Sequence, residues 1–108
     1  MKLKCILLVV GGLAVSFSAN AVDKEVSICS LQISDNGSGY LAPCGGWASQ
    51  NSCNSGGWIT WDAKTEAGKI FYSTALTALV SEKKVKLRFN GSQCAGSYDV
   101  TQMVRISK

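Results

Sequence analysis

Apolar and polar positions alternate along most of the chain, and the period changes once. Over residues 25–34, EVSICSLQIS, one side of an extended segment carries Val26, Ile28, Ser30 and Gln32. The other carries Ser27, Cys29, Leu31 and Ile33. This is the two-residue period of a strand, with mixed faces. Asn36-Gly37 comes next, the favoured centre of a two-residue type I′ hairpin turn, because both central positions need positive φ. That turn pairs Asp35 with Ser38, and the same register sets Cys29 opposite Cys44. The stretch predicts a β-hairpin closed at its open end by a Cys29–Cys44 disulfide, with Pro43 limiting regular pairing beside Cys44. Trp58 to Trp61, WITW, is short, aromatic and β-branched, and reads as a strand. Strands are also predicted for Val85 to Asn90 and for Tyr98 to Ser107, which alternate in the same way.

The period lengthens between Thr65 and Lys83. Ala67, Phe71, Thr74, Ala75, Ala78 and Leu79 fall on one helical stripe, and Asp62 is placed to cap that helix. Ile70, Tyr72, Leu76 and Val80 flank the stripe on both sides. That is more apolar surface than one core contact requires, so these four are the expected interface of a homo-oligomer. The order strand, strand, strand, helix, strand, strand predicts a small β-rich α+β domain, a five-stranded OB-like barrel with one helix. A plain α+β sheet with the helix on one face is the competing architecture.

The first residues do not belong to this pattern. Lys2 and Lys4 precede an apolar run from Ile6 to Val15, and Ala19-Asn20-Ala21 satisfies the small-x-small cleavage rule. The run is shorter than the ~20 residues that cross a bilayer. Residues 1–21 are therefore expected to be a cleaved signal peptide of the bacterial Sec type, with residues 22–108 as one domain, secreted or periplasmic. No membrane insertion of the mature chain is expected. Cys5 leaves with the leader, and four of the five cysteines remain. In an exported small domain that number reads as two disulfides. Cys53–Cys94 is the second by elimination, and closing so long a loop stabilises by about 4 kcal/mol in the chain-entropy picture. Cys44–Cys53 with Cys29–Cys94 is the alternative connectivity. Zinc is disfavoured, since there is no CxxC pair and no histidine.

Charge narrows the partners. Eleven Lys and Arg stand against seven Asp and Glu, a net +4 that falls to +2 once Lys2 and Lys4 are removed. This is too mild for a nucleic-acid binder. The cluster Lys83, Lys84, Lys86 and Arg88 reads as the solvated edge of a strand. The absence of histidine removes Ser-His and Cys-His nucleophile pairs. Asp62 and Glu66 sit where capping and the helix dipole account for them. The glycine pairs at 45–46 and 56–57 form neither a dinucleotide fingerprint nor a P-loop. The expectation is a protein that is not an enzyme and takes no cofactor or metal.

The aromatic residues carry the remaining signal. Tyr40, Trp47, Trp58 and Trp61 lie in or beside the Gly/Ser/Asn-rich stretch 45–57 and are the candidate ligand-binding residues. Trp58 and Trp61 are three apart, so a strand turns them to opposite faces, one into the core and one outward. Exposed aromatics beside Asn and Ser can stack on sugar rings or anchor a protein contact. The bland reading is that they cover the core and the disulfides of a small domain.

GKIFYSTALTALVSEKKVKLRF, residues 68–89, preceded by a cysteine and an aromatic strand and followed by Cys94, resembles small exported bacterial proteins of uncharacterised type. The layout also resembles the B subunits of pentameric bacterial toxins, particularly the subtilase cytotoxin type. That resemblance implies an OB-type barrel, a glycan or cell-surface partner, and a ring of like chains. It is carried by Trp58 to Phe89 and assigns no sugar-contacting residue. The expected function is an exported, non-catalytic, carbohydrate-binding module. The alternative is a disulfide-stabilised structural or inhibitory protein that uses the segment between Cys44 and Cys53 to contact another protein.

Overall fold

The computed structural model describes residues 21–54 and 56–107. The expected leader lies outside the described residues but for Ala21. The described residues form β1 (Val22–Val26), β2 (Ile28–Ile33), β3 (Ser38–Pro43), β4 (Ile59–Asp62), α1 (Glu66–Val80), β5 (Val85–Phe89), β6 (Cys94–Ala95), β7 (Tyr98–Val100) and β8 (Met103–Ile106). They make two sheets, ordered β1-β5-β8 and β2-β3-β4-β7-β6, that do not close into one barrel. All pairings are antiparallel except β4 with β7.

The two sheets share strands that pass from one to the other. Only Ser27 separates β1 from β2. Val26 still pairs with Val85 of β5, whereas the Ser27 carbonyl accepts from the Cys44 amide at the end of β3 (2.8 Å). The last strand makes the same crossing. The Thr101 amide donates to the Thr60 carbonyl of β4 (3.1 Å), and the next amide, Gln102, donates to Arg88 of β5 (2.7 Å). The first and last strands expected from the alternation are thus each broken in two by a bend. Cys94 to Ser97 forms the short strand β6 and a two-residue turn that returns the chain into β7.

The β2–β3 hairpin forms, with a different turn. The Gly37 amide bonds to the Ser34 carbonyl (3.0 Å) and the Ser34 amide to the Ser38 carbonyl (2.9 Å). This is a three-residue loop, with only Gly37 at positive φ (+89°). The ladder therefore runs Leu31↔Leu41 and Gln32↔Tyr40, one residue out from the two-residue register. A bulge between Ile28 and Ser30 shifts it again. Cys29 stands at that bulge, and the Cys29–Cys44 disulfide forms across it with a Cα–Cα distance of 4.8 Å. The extra residue also explains the mixed faces, since Ile28 and Leu31, three apart, both pack on the core. Cys53–Cys94 is the second disulfide.

Among the described residues, one core joins both sheets and the helix. Leu41 and Ile59 come from the larger sheet, Val85, Leu87 and Phe89 from β5, and Ala75 and Ala78 from the helix, all fully buried. Each of the larger side chains contributes about 1.5–3 kcal/mol by burial. Trp61 is buried and donates its indole N–H to the Gly68 carbonyl (3.0 Å). A Cβ at Gly39 would lie 2.6 Å from its ring, and one at Gly68 would lie 1.9 Å from the Asp62 carbonyl oxygen. The tryptophan and the first helical turn fit only because both positions lack a side chain.

The helix departs from its expected bounds at both ends. Thr65, not Asp62, is the N-cap and accepts from the Gly68 amide (2.9 Å), while Asp62 accepts from the Lys64 amide. The helix stops at Val80 because Glu82 turns left-handed (φ +57°). The amides of Glu82 and Lys83 then fold back on the carbonyls of Leu79 and Ala78, the bond pattern of a Schellman ending. The buried stripe is Gly68, Ala75 and Ala78, flanked by Phe71, Tyr72 and Leu79 packed on the core. Ala67 faces solvent instead.

On the smaller sheet one ion pair bridges β1 and β5. Arg88 donates to both carboxylate oxygens of its register partner Asp23 (2.8 and 3.1 Å). This hydrogen bonding holds the Asp23 carboxyl below its ordinary range and raises Arg88. A depressed carboxylate stabilises the fold above the ordinary Asp value, and that contribution is lost as pH falls through the folded value. We expect carboxyl-carbon NMR to place the Asp23 midpoint below the ordinary value in the native protein. In Arg88→Gln the midpoint should return to the ordinary range.

Candidate functional site

The segment between Cys44 and β4 is ordered by two buried polar side chains. Asp99, at the centre of β7, is fully buried. Its carboxylate accepts from the Trp47 indole N–H (3.1 Å), the Ser49 hydroxyl (2.5 Å) and the Gln50 amide (2.6 Å), with a longer contact from the Asn51 amide (3.4 Å). Asn51, also buried, donates to the carbonyls of Gln93 and Val100 (2.7 and 3.2 Å) and accepts from the Gly91 amide (2.9 Å). Cys53–Cys94 ties the segment to β6, and the Trp47 ring packs against Phe89 with centroids 5.2 Å apart. Among the described residues, no buried side-chain N or O lacks a hydrogen-bond partner.

The strand that carries Asp99 inward carries its neighbours outward. Because side chains alternate, Tyr98 and Val100 lie on the outer face of the larger sheet. Register puts Val100 beside Thr60, Thr60 beside Tyr40, and Tyr40 beside Gln32. Trp58, two residues before Thr60, completes the row next to Tyr98. Tyr40 meets Trp58 and Tyr98 edge-on, with centroids 6.3 and 5.9 Å apart. Gln32, Ser34, Tyr40, Trp58 and Tyr98 line an open pocket of about 270 Å³. All five side chains are uncharged, and they offer aromatic rings, hydroxyls and one amide. Such groups bind and orient a ligand, and none of them is a carboxylate or imidazole able to shuttle a proton at neutral pH.

The four candidate ligand-binding residues therefore separate. Tyr40 and Trp58 meet in this pocket. Trp61 is the inward member of the WITW pair and belongs to the core. Trp47 is half-buried, spent on Asp99 and Phe89. Tyr98, Gln32 and Ser34 complete the pocket and do not stand out in the sequence. Tyr98 opens a strand whose parallel partner is 40 residues away in register, and no local pattern reports that pairing. Of the helix positions, Ile70, Leu76 and Val80 are exposed at 62, 43 and 73 %. Tyr72 is half-buried and packs against the core.

No protein-family model, curated protein or solved structure matches the chain. Among the described residues no helix is long and apolar enough to cross a membrane. The two disulfides are consistent with an oxidising compartment.

The Asp99 arrangement makes a direct prediction. Asp99→Asn keeps the shape but sets an amide group against donors that now want an acceptor. The cost should be about 2–3 kcal/mol, read as a lower urea midpoint at unchanged m-value. The Trp47 fluorescence should shift toward that of a solvated indole.

Proposed function

We propose that the protein is an exported, non-catalytic module that binds a glycan in the pocket between Tyr40, Trp58 and Tyr98. The observation that carries this reading is an aromatic trio on an ordered sheet face with Gln32 and Ser34 at its side. A sugar presents both an apolar C–H face and a rim of hydroxyls. The rings suit the first, while the amide and hydroxyls suit the second. The leader-like residues 1–21 and the two disulfides support an address outside the cytoplasm.

The fold reading that goes with it is an OB-type arrangement opened at its bends. Counting β1–β2 and β7–β8 each as one bent strand, the neighbours run first, second, third, fifth, fourth and back to the first. The third and fifth are parallel, and the helix lies between the third and fourth. That cyclic order supports the OB reading over a plain sheet with one helix.

On a broad glycan array, the oxidised protein should bind a definable set of sugars. Trp58→Ala and Tyr40→Ala should each weaken binding about tenfold or more while far-UV circular dichroism stays the same. Absence of binding to any sugar overturns the reading.

The same module is proposed to assemble with its own kind through Ile70, Leu76 and Val80, which one exposed side of α1 presents to solvent. Light scattering should give a multiple of the single-chain mass, and Val80→Lys should reduce it. A single-chain mass at high concentration rules the assembly out.

A further inference from the structure

The outer face of the larger sheet does not end at the aromatic pocket. A second pocket of about 310 Å³ lies on it, lined by Ser38, Thr60, Asp62, Gln93 and Val100 among others. Its relation to the first is set by register. β3 contributes Tyr40 to the first pocket and Ser38 to the second. The β4 segment contributes Trp58 to the first, then Thr60 and Asp62 to the second. β7 contributes Tyr98 to the first and Val100 to the second. On three adjacent strands, the next outward-facing residue belongs to the next pocket, and the pairings Ser38↔Asp62, Tyr40↔Thr60 and Thr60↔Val100 keep all three steps in the same direction. Two residues of strand advance about 6.5–7 Å, comparable with one pyranose unit of an extended β-linked chain.

The chemistry of the second pocket differs from the first. Asp62 and Lys64 neutralise one another at its rim (3.6 Å), and Lys64 also donates to the Asn36 carbonyl (3.2 Å). The Asp62 Oδ1 is engaged by the Lys64 amide, while Oδ2 has no hydrogen bond among the described residues. The Gln93 Oε1 accepts from Gln102 (2.6 Å), and the Gln93 Nε2 has no partner among the described residues. The pocket therefore presents one free carboxylate oxygen and one free amide donor above a floor of Thr60 and Val100. This is hydrogen-bonding capacity without net charge; Trp61 also borders the pocket, but its ring is buried in the core and offers no open stacking face.

Resting on the glycan reading above, we propose that this second pocket is a subsite for a neutral, hydroxyl-rich sugar unit. The preferred ligand is then an oligosaccharide of at least two units that runs across the sheet, not a single sugar. Its aromatic-stacked unit sits between Tyr40, Trp58 and Tyr98. The next unit gives hydroxyl hydrogen bonds to Asp62 and takes one from Gln93.

The test is calorimetric titration of the full oxidised protein with a panel of methyl β-glycosides of the common hexoses and N-acetylhexosamines, and with their β-linked di- and trisaccharides. For at least one sugar series the disaccharide should bind about tenfold tighter than the monosaccharide, as two or more added hydrogen bonds allow. In Gln93→Ala and Asp62→Asn the disaccharide-to-monosaccharide ratio should fall toward one. Equal affinity for both lengths in the native protein overturns the second subsite and leaves the aromatic pocket standing. A length preference that survives both substitutions overturns it as well, because the added unit then lies elsewhere. Failure of every sugar, single or linked, overturns the glycan reading itself, and the subsite falls with it.

Discussion

A buried carboxylate costs several kcal/mol unless it is fully bonded, and Asp99 is such a group. Its donors all come from one short segment, Trp47 to Asn51, more than 45 residues earlier in the chain. β7 can enter the core only when that segment is in place. The segment, poor in apolar residues, has little other reason to order itself. Each satisfies the other's polar groups, and Asn51 and Cys53–Cys94 secure the same contact from two further directions. The parallel pairing of β4 with β7, which puts Trp58 beside Tyr98, depends on this closure.

Packing works by a similar exchange elsewhere on the same inner face of the sheet. Trp61 is the bulkiest buried side chain of β4, and it occupies space left by Gly39. The carbonyl of Gly68 then satisfies its indole, which fixes where the helix starts. One tryptophan thereby links β3, β4 and α1. Its neighbour Trp58, with the opposite parity, is left for the outer face. A single four-residue strand and the residue before it supply both an anchor of the core and a wall of the pocket.

The pocket residues stand on or beside paired strands and not on a free loop. Their rings touch each other edge-on, which limits the rotamers each can adopt before a ligand arrives. Preorganisation of this kind lowers the ordering cost of binding.

Much of the architecture is legible in the chain. The hairpin, the WITW strand, the helix and the two late strands are legible in local pattern; one disulfide comes from the hairpin register and the other by elimination, with a second connectivity left open until the structure decides it. The disulfide Cys29–Cys44 is reached through a register one residue out, because a three-residue loop and a bulge are indistinguishable locally from a two-residue turn. The helix ends are misplaced because Asp62 and Thr65 are both plausible capping side chains and only the fold shows that Thr65 does it, while Glu82 ends the helix by a left-handed backbone turn that composition does not reveal. In the site, Tyr40 and Trp58 are legible as aromatics near a glycine-rich stretch, and one of Trp58 and Trp61 has to face inward. Alternation along a strand determines such facts, since it depends only on neighbouring residues. What brought Tyr98 to Trp58 and turned Trp47 onto Asp99 was decided by long-range pairing. Those contacts join segments far apart in the sequence, which local alternation cannot report.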